Sequence, residues 1–205
     1  MRLLFSTVFI LLATFYSFSQ IKYGISSGAN IHNRERTFDN KKIGFQIGVD
    51  GFASLSKKAY LHAGLNLIAL RSKYENYKVE FYGVNDPSYT INSSTSYLYT
   101  DVPITFGYKV IANAKFGISA EGGWFFSYGV GGRSKGSFTY DDRIVAFNER
   151  TFKYDHTINT GPSAAISSII FEHYLIRMFG EWDITNPKDG HLKHQIYGLS
   201  MGYVF

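Results

Sequence analysis

From Ile43 onward the chain alternates: Ile43, Phe45, Ile47 and Val49 are apolar, and Gly44, Gln46, Gly48 and Asp50 between them are small or polar. Successive side chains on a strand point to opposite faces, so this spacing predicts a strand with one bulky apolar face and one small, polar face. The same pattern recurs near 21–31, 43–55, 60–70, 97–110, 116–130, 156–170, 174–184 and 194–205. In the third of these, Leu61, Ala63, Leu65 and Leu67 oppose His62, Gly64 and Asn66; in the seventh, Ile176, Met178 and Trp182 oppose Arg177, Glu181 and Asp183. The eighth sets Tyr197, Leu199, Met201, Tyr203 and Phe205 against Gly198, Ser200 and Gly202. Each segment is long enough to cross a bilayer as a tilted strand of roughly 9–11 residues.

The connections alternate in length. Those around 56–58, 112–114 and 172–173 are tight, whereas 32–42, 72–96, 131–155 and 187–193 are longer. Eight strands with this alternation predict an all-β, eight-stranded antiparallel up-and-down transmembrane β-barrel in a bacterial outer membrane. Its long loops are expected outside the cell and both termini in the periplasm. Tyr77, Val79 and Phe81 alternate with Lys78, Glu80 and Tyr82 before the turn-forming run 83–87, so the third and fourth strands are expected to continue as a hairpin above the membrane. Phe138 and Tyr140 suggest the same after the fifth strand.

A soluble eight-stranded barrel would also show period two, and the distinction lies in which face is apolar. The bulky residues share one face, and Gly, Ser, Asn, Asp, Glu and Arg share the other. An eight-stranded interior has room for little more than side chains, so the small and charged face belongs inside and the bulky face meets lipid. A lipocalin-like cavity would need the reverse. Aromatic residues cluster near the strand ends: Tyr23, Tyr108, Phe116, Tyr174, Tyr203 and Phe205 near the periplasmic rim, and Phe126, Tyr128 and Trp182 near the outer one. Aromatic rings favour the headgroup level at both interfaces.

Composition agrees. Aromatics make up 18%, and 20 Gly stand against 4 Pro, which suits strands and a close-packed lumen. At the start, Arg2 precedes an apolar run from Leu3 to Ala13 and small residues at Ser17 and Ser19. This predicts a signal peptide over 1–19, cut before Gln20, and a single barrel domain over 20–205. With no cysteine in the chain, disulfides, thiolate metal sites and a lipidated cysteine are excluded. The net charge of +5 arises from basic residues interspersed with acidic ones, which argues against a nucleic-acid partner.

Parity places Asp101, Lys109, Glu121, Arg177, Glu181 and Asp183 on lumen faces. Buried charges must be paired, so a salt-bridged network centred on Arg177 is expected, with a structural role. His32, His156 and His194 fall near the outer rim, where an outer-membrane lipid-modifying enzyme or protease would keep a histidine; this is the alternative to a non-catalytic barrel. His191 and His194 have poor metal spacing. Gly122-Gly123 and Gly131-Gly132 lack the strand-to-helix context of a phosphate cradle, and no cofactor is expected. Pro103 is expected at a bulge or facing a compensating polar group, because it cannot donate to a ladder.

The runs YLYTDVPITFGYKV from Tyr97, FGISAEGGWFFSYG after it and the closing YGLSMGYVF resemble the PorT-like outer-membrane β-barrel family. The likeness spans most of the mature chain; its acidic position matches Asp101 and its proline Pro103. It implies that Tyr197, Gly198, Tyr203 and Phe205 form the signal read by the barrel-insertion machinery. It also implies a link to protein secretion, with a secretion-system or surface protein as partner beside outer-membrane lipid. The function expected is therefore binding, scaffolding or secretion-accessory work through loops 72–96 and 131–155.

Overall fold

The computed structural model describes residues 21–34, 40–79, 89–113, 115–140, 143–153, 158–185 and 194–205. The expected signal peptide therefore lies outside the described residues. Nine strands form among these residues: β1 (Ile21–Arg34), β2 (Asn40–Ser54), β3 (Ala59–Val79), β4 (Tyr89–Ala112), β5 (Phe116–Tyr140), β6 (Arg143–Arg150), β7 (Ile158–Ile170), β8 (Tyr174–Trp182) and β9 (His194–Val204). Every pairing is antiparallel, and the sheet runs β4-β3-β2-β1-β9-β8-β7-β5 before the β4–β5 ladder closes it on itself. The wall is thus an eight-stranded up-and-down barrel, and β6 is an addition to the C-terminal part of β5, from Arg133 to Tyr140.

Short-range chemistry makes the tight turns at one end. The Ser56 hydroxyl accepts from the Lys58 and Ala59 amides, and Asn113 Oδ1 accepts from the Lys115 and Phe116 amides. Such side chains mimic a backbone turn. Between β7 and β8, Phe171 and Glu172 both have positive φ (51° and 65°), and His173 N donates to Ile170 O. This three-residue connection, 171–173, holds two non-glycine residues in the left-handed region.

The outward face is apolar around the barrel: Ile25, Phe45, Ile47, Leu65, Ile104, Phe126, Ile166, Met178 and Leu199 are all exposed. A closed ladder leaves no backbone group of the wall unpaired at a sheet edge, which is the condition for a β structure to stand in hydrocarbon. Among the described residues no helix is long and apolar enough to cross a membrane. Tyr23, Tyr108, Tyr174, Tyr203 and Phe205 are exposed at the short-turn end, and Phe126 and Tyr128 towards the other.

Three features bear on the sequence reading. As the alternation around Tyr77 and at Phe138 and Tyr140 suggested, the regions 72–96 and 131–155 are largely strand among the described residues: β3, β4 and β5 have 21, 24 and 25 residues, about twice a bilayer crossing. Beyond the Asn40–Lys73 and Tyr128–Ile158 pairs only β3, β4, β5 and β6 continue among the described residues, as a raised sheet. Register shifts at Lys42/Phe45 and Leu98/Tyr99 lie where this sheet leaves the wall, and such bulges bend and twist a strand. Pro103 sits at no bulge. The β3–β4 ladder keeps one register from Ala63–Ile104 to Asn66–Asp101 but skips the two pairs between, where Pro103 has no donor and its ring packs beside Gly64.

The third feature is inside and departs from that reading. The lumen face is not merely small and polar; it carries two apolar clusters. Ile68, Leu70, Tyr97, Tyr99, Ala165, Phe179 and Ile196 pack together towards the raised sheet, with Phe152 against them. Phe52, Tyr60, Leu175 and Val204 pack near the short turns.

Leu199 is outward and midway along β9. Leu199→Arg is expected to cost about 2–4 kcal/mol of folding free energy in bilayers, measured by denaturant titration after reconstitution. An unchanged midpoint would place this face away from hydrocarbon.

Candidate functional site

Between the two apolar clusters lies a buried polar band. Glu121 on β5 is its centre. Tyr60 Oη and Ser167 Oγ donate to Glu121 Oε1 at 2.9 and 2.7 Å, and Thr105 Oγ1 and Arg177 Nε donate to Oε2 at 3.1 and 3.2 Å. Arg177 Nη2 lies 3.1 Å from the same oxygen, an ion pair without hydrogen-bond alignment. The cation and the anion come from β8 and β5, which are separated by β7, so the pair reaches over one strand inside the bore and is buried.

His62 on β3 completes the band. Its Nε2 is 2.9 Å from Asp50 Oδ1 and its Nδ1 is 3.1 Å from Thr105 Oγ1, while its ring stacks on Phe52 at 4.8 Å between centroids. Acid, histidine and hydroxyl in this order have the connectivity of a catalytic relay. Here no substrate could reach them. His62 and Asp101 are fully buried, Thr105 is 1% exposed, and the apolar clusters stop the lumen above and below. The arrangement is a cross-brace.

The residues picked out by parity divide. Asp101, Glu121, Arg177 and Glu181 are buried in the band, with Asn66 Nδ2 donating to Asp101 Oδ2 at 3.5 Å. Asp183 is buried just beyond β8, where Oδ1 accepts from the Thr160 and Thr185 amides and from the Thr185 hydroxyl. Lys109 is half-buried and stands apart, at the short-turn mouth, lining a cavity of about 300 Å³ with Lys22, Phe52, Tyr60, Ile169 and Val204. Asp50 and His62 were not singled out for chemistry from sequence, although their positions on the small, polar faces of the second and third strands pointed inward.

Of the three rim histidines, His32 and His194 fall among the described residues. His32 is buried, edge-on to Tyr97 at 6.2 Å. His194 opens β9 opposite Arg34, and His156 and His191 lie outside the described residues. Among the described residues no group of three or more His, Asp or Glu side chains could hold a metal ion. On β9, Tyr197, Tyr203 and Phe205 face outward and Gly198 faces the lumen, where a side chain would overlap the Phe179 ring.

No family model matches the chain, and no curated protein matches it in sequence. Among solved structures it is similar to Ail, the attachment invasion locus protein of Yersinia pestis, in a complex with the heparin analogue sucrose octasulfate. That likeness has 13% identity and a TM-score of 0.45, covering 91% of this chain and 99% of that one. It is also similar to OprG of Pseudomonas aeruginosa, at 12% identity and TM-score 0.42, covering 90% and 94%. Neisserial surface protein A follows at 8% identity and TM-score 0.40, covering 90% and 97%. What identifies the fold is the closed ladder itself.

Removing the Arg177 cation leaves Glu121 without its opposite charge in a sealed interior. Arg177→Met is expected to destabilise the barrel by about 3–5 kcal/mol, and adding Glu121→Gln to that variant should restore part of the loss. A double-mutant cycle in bilayer refolding reads the coupling, and strictly additive losses would remove the pair from the account.

Proposed function

We propose that the chain is an integral outer-membrane barrel that works without catalysis, as a binding or scaffolding element acting through its raised sheet at the cell surface. The observation that carries this reading is the contrast between a stopped lumen and strands that run far past the wall. A barrel filled by Glu121, Arg177, Phe52, Phe179 and their neighbours has no bore for a solute. Residues invested in β3–β6 beyond the wall give no stability to the membrane crossing, and they present strand edges and side chains for recognition.

The raised sheet has the anatomy of a recognition surface. Among the described residues its edge strand β6 pairs only with β5, and it exposes Ile144 at 73% and Val145 at 45%. An open strand edge can accept an extended segment of another protein by backbone pairing, with charged residues such as Arg143 and Arg150 limiting indiscriminate contact. The likeness of the Asp101-to-Pro103 segment and of β9 to PorT-like barrels makes a secretion-system or surface protein the partner class. In this orientation the short turns and termini face the periplasm, and Tyr197, Gly198, Tyr203 and Phe205 are the contact for the insertion machinery.

A photo-crosslinking residue at position 144 is expected to give a discrete protein adduct in intact cells, while one at Leu55, at the short-turn end, gives none of the same mass. Planar bilayers containing the purified barrel should show no steady conductance. Stepwise single-channel conductance together with no adduct at position 144 would replace this reading with a pore.

A further inference from the structure

The base of the raised sheet carries an ordered set of cations. Cross-strand pairing puts Arg71, Ser96, Arg133 and Arg150 in one row across β3, β4, β5 and β6, and Lys73, Ser94, Lys135 and Asn148 in the next. Arg71, Arg133, Lys135 and Arg150 are exposed, whereas Ser72 and Thr95, on the opposite face, are buried. The cations therefore continue the outward face that meets lipid lower down, at Leu65 and Leu67 on β3 and Tyr128 and Val130 on β5.

Arg133 and Arg150 are directly opposed, an arrangement that is destabilising for like charges unless something of the other sign lies between them. Lys73 is paired with Glu75, but among the described residues Arg71, Arg133, Lys135 and Arg150 have no ion-pair partner. A shallow groove runs between them, lined by Arg71, Ser94, Ser96, Arg133 and Lys135. The register separates Arg71 from Arg133 by the single strand bearing Ser96, about 10 Å, so two long side chains can converge on one tetrahedral anion.

Height selects the source of that anion. Arg71 is two residues past Ala69, which pairs with the outward-facing Phe45 of the apolar belt, so it stands about 6–7 Å further along the strand, and the headgroup layer outside the hydrocarbon is itself about 5–7 Å deep. We infer that these two rows bind phosphate groups of the lipid leaflet surrounding the raised sheet, with Arg71 and Arg133 chelating one phosphate across Ser96 and Lys135 and Arg150 flanking it. The rows thereby fix the depth of the barrel and tie the base of the sheet to the lipid surface.

The test uses the barrel reconstituted in phosphatidylcholine vesicles doped with spin-labelled phosphatidic acid, a lipid with a phosphomonoester headgroup, or with spin-labelled phosphatidylcholine. Electron paramagnetic resonance reads the fraction of each label immobilised at the protein. The wild type is expected to prefer the phosphate lipid, and Arg71→Ser/Arg133→Ser should reduce that preference on the order of fivefold or more. Lys57→Ser/Lys58→Ser, at the other end of the barrel, should leave most of it, and raising salt should weaken the wild-type preference. Heat-modifiable migration checks that each variant is folded; if the double variant is not, Lys135→Ser carries the test with a smaller fall expected. Equal loss in the Lys57/Lys58 variant, or an undiminished preference in Arg71→Ser/Arg133→Ser, would overturn the inference. So would loss of the preference on adding micromolar inositol hexakisphosphate, because the rows would then belong to a soluble polyanion.

Discussion

Hydrocarbon offers no partner to a peptide N–H or C=O, and each unpaired group costs several kcal/mol. In this chain that requirement is met by a ladder with no beginning or end: β4 pairs with β5 as fully as β1 pairs with β2. Everything else about the wall follows from closing eight strands. The bore is narrow, the side-chain faces alternate in and out, and any residue that cannot donate must be accommodated locally. Pro103 shows the accommodation at its smallest, two missing rungs with the register intact, made possible because Gly64 opposite brings no side chain into the ring's space.

Closure also dictates how the interior is filled. A bore lined only by charged groups would need water, and one lined only by apolar groups could not take the ionisable residues that stand on the inward faces. The chain separates the two in layers. Aromatic and aliphatic side chains stop each end, and Glu121, Arg177, His62, Asp50 and Asp101 occupy the buried middle. In that setting electrostatic interactions are stronger than in water, so the four hydrogen bonds and the ion pair around the Glu121 carboxylate tie β5 to β3, β4, β7 and β8.

Period two made the eight wall strands legible, and parity alone put Arg177, Glu121 and Asp101 inside. It failed where both faces of a strand are apolar: Leu175 and Phe179 sit inward while Ile176 and Met178 sit outward, so the apolar clusters leave no alternation to read. It failed again past Val130, where the extra residue in the β4–β5 register swaps the faces and makes Arg133 and Lys135 outward. The alternation of Tyr77 with Lys78 suggested the raised hairpin, but the short strand β6, mostly exposed on both faces, carries no periodic signal. His62 stood on a correctly assigned polar face, yet only the fold shows that Asp50 and Thr105 reach it.

Because the apolar stop beneath the raised sheet seals the bore, the wall draws its cohesion from contacts below the bulges at Lys42/Phe45 and Leu98/Tyr99, and the sheet above draws on it only for a footing. The two parts therefore answer to different pressures. Insertions, deletions and changes of charge in the crown away from Phe152, whose ring packs on Tyr97 and Tyr99 of the stop, leave the stave interior untouched, while the wall tolerates little change in volume. A lineage carrying this barrel can rewrite what it shows its surroundings at little risk to the vessel that displays it.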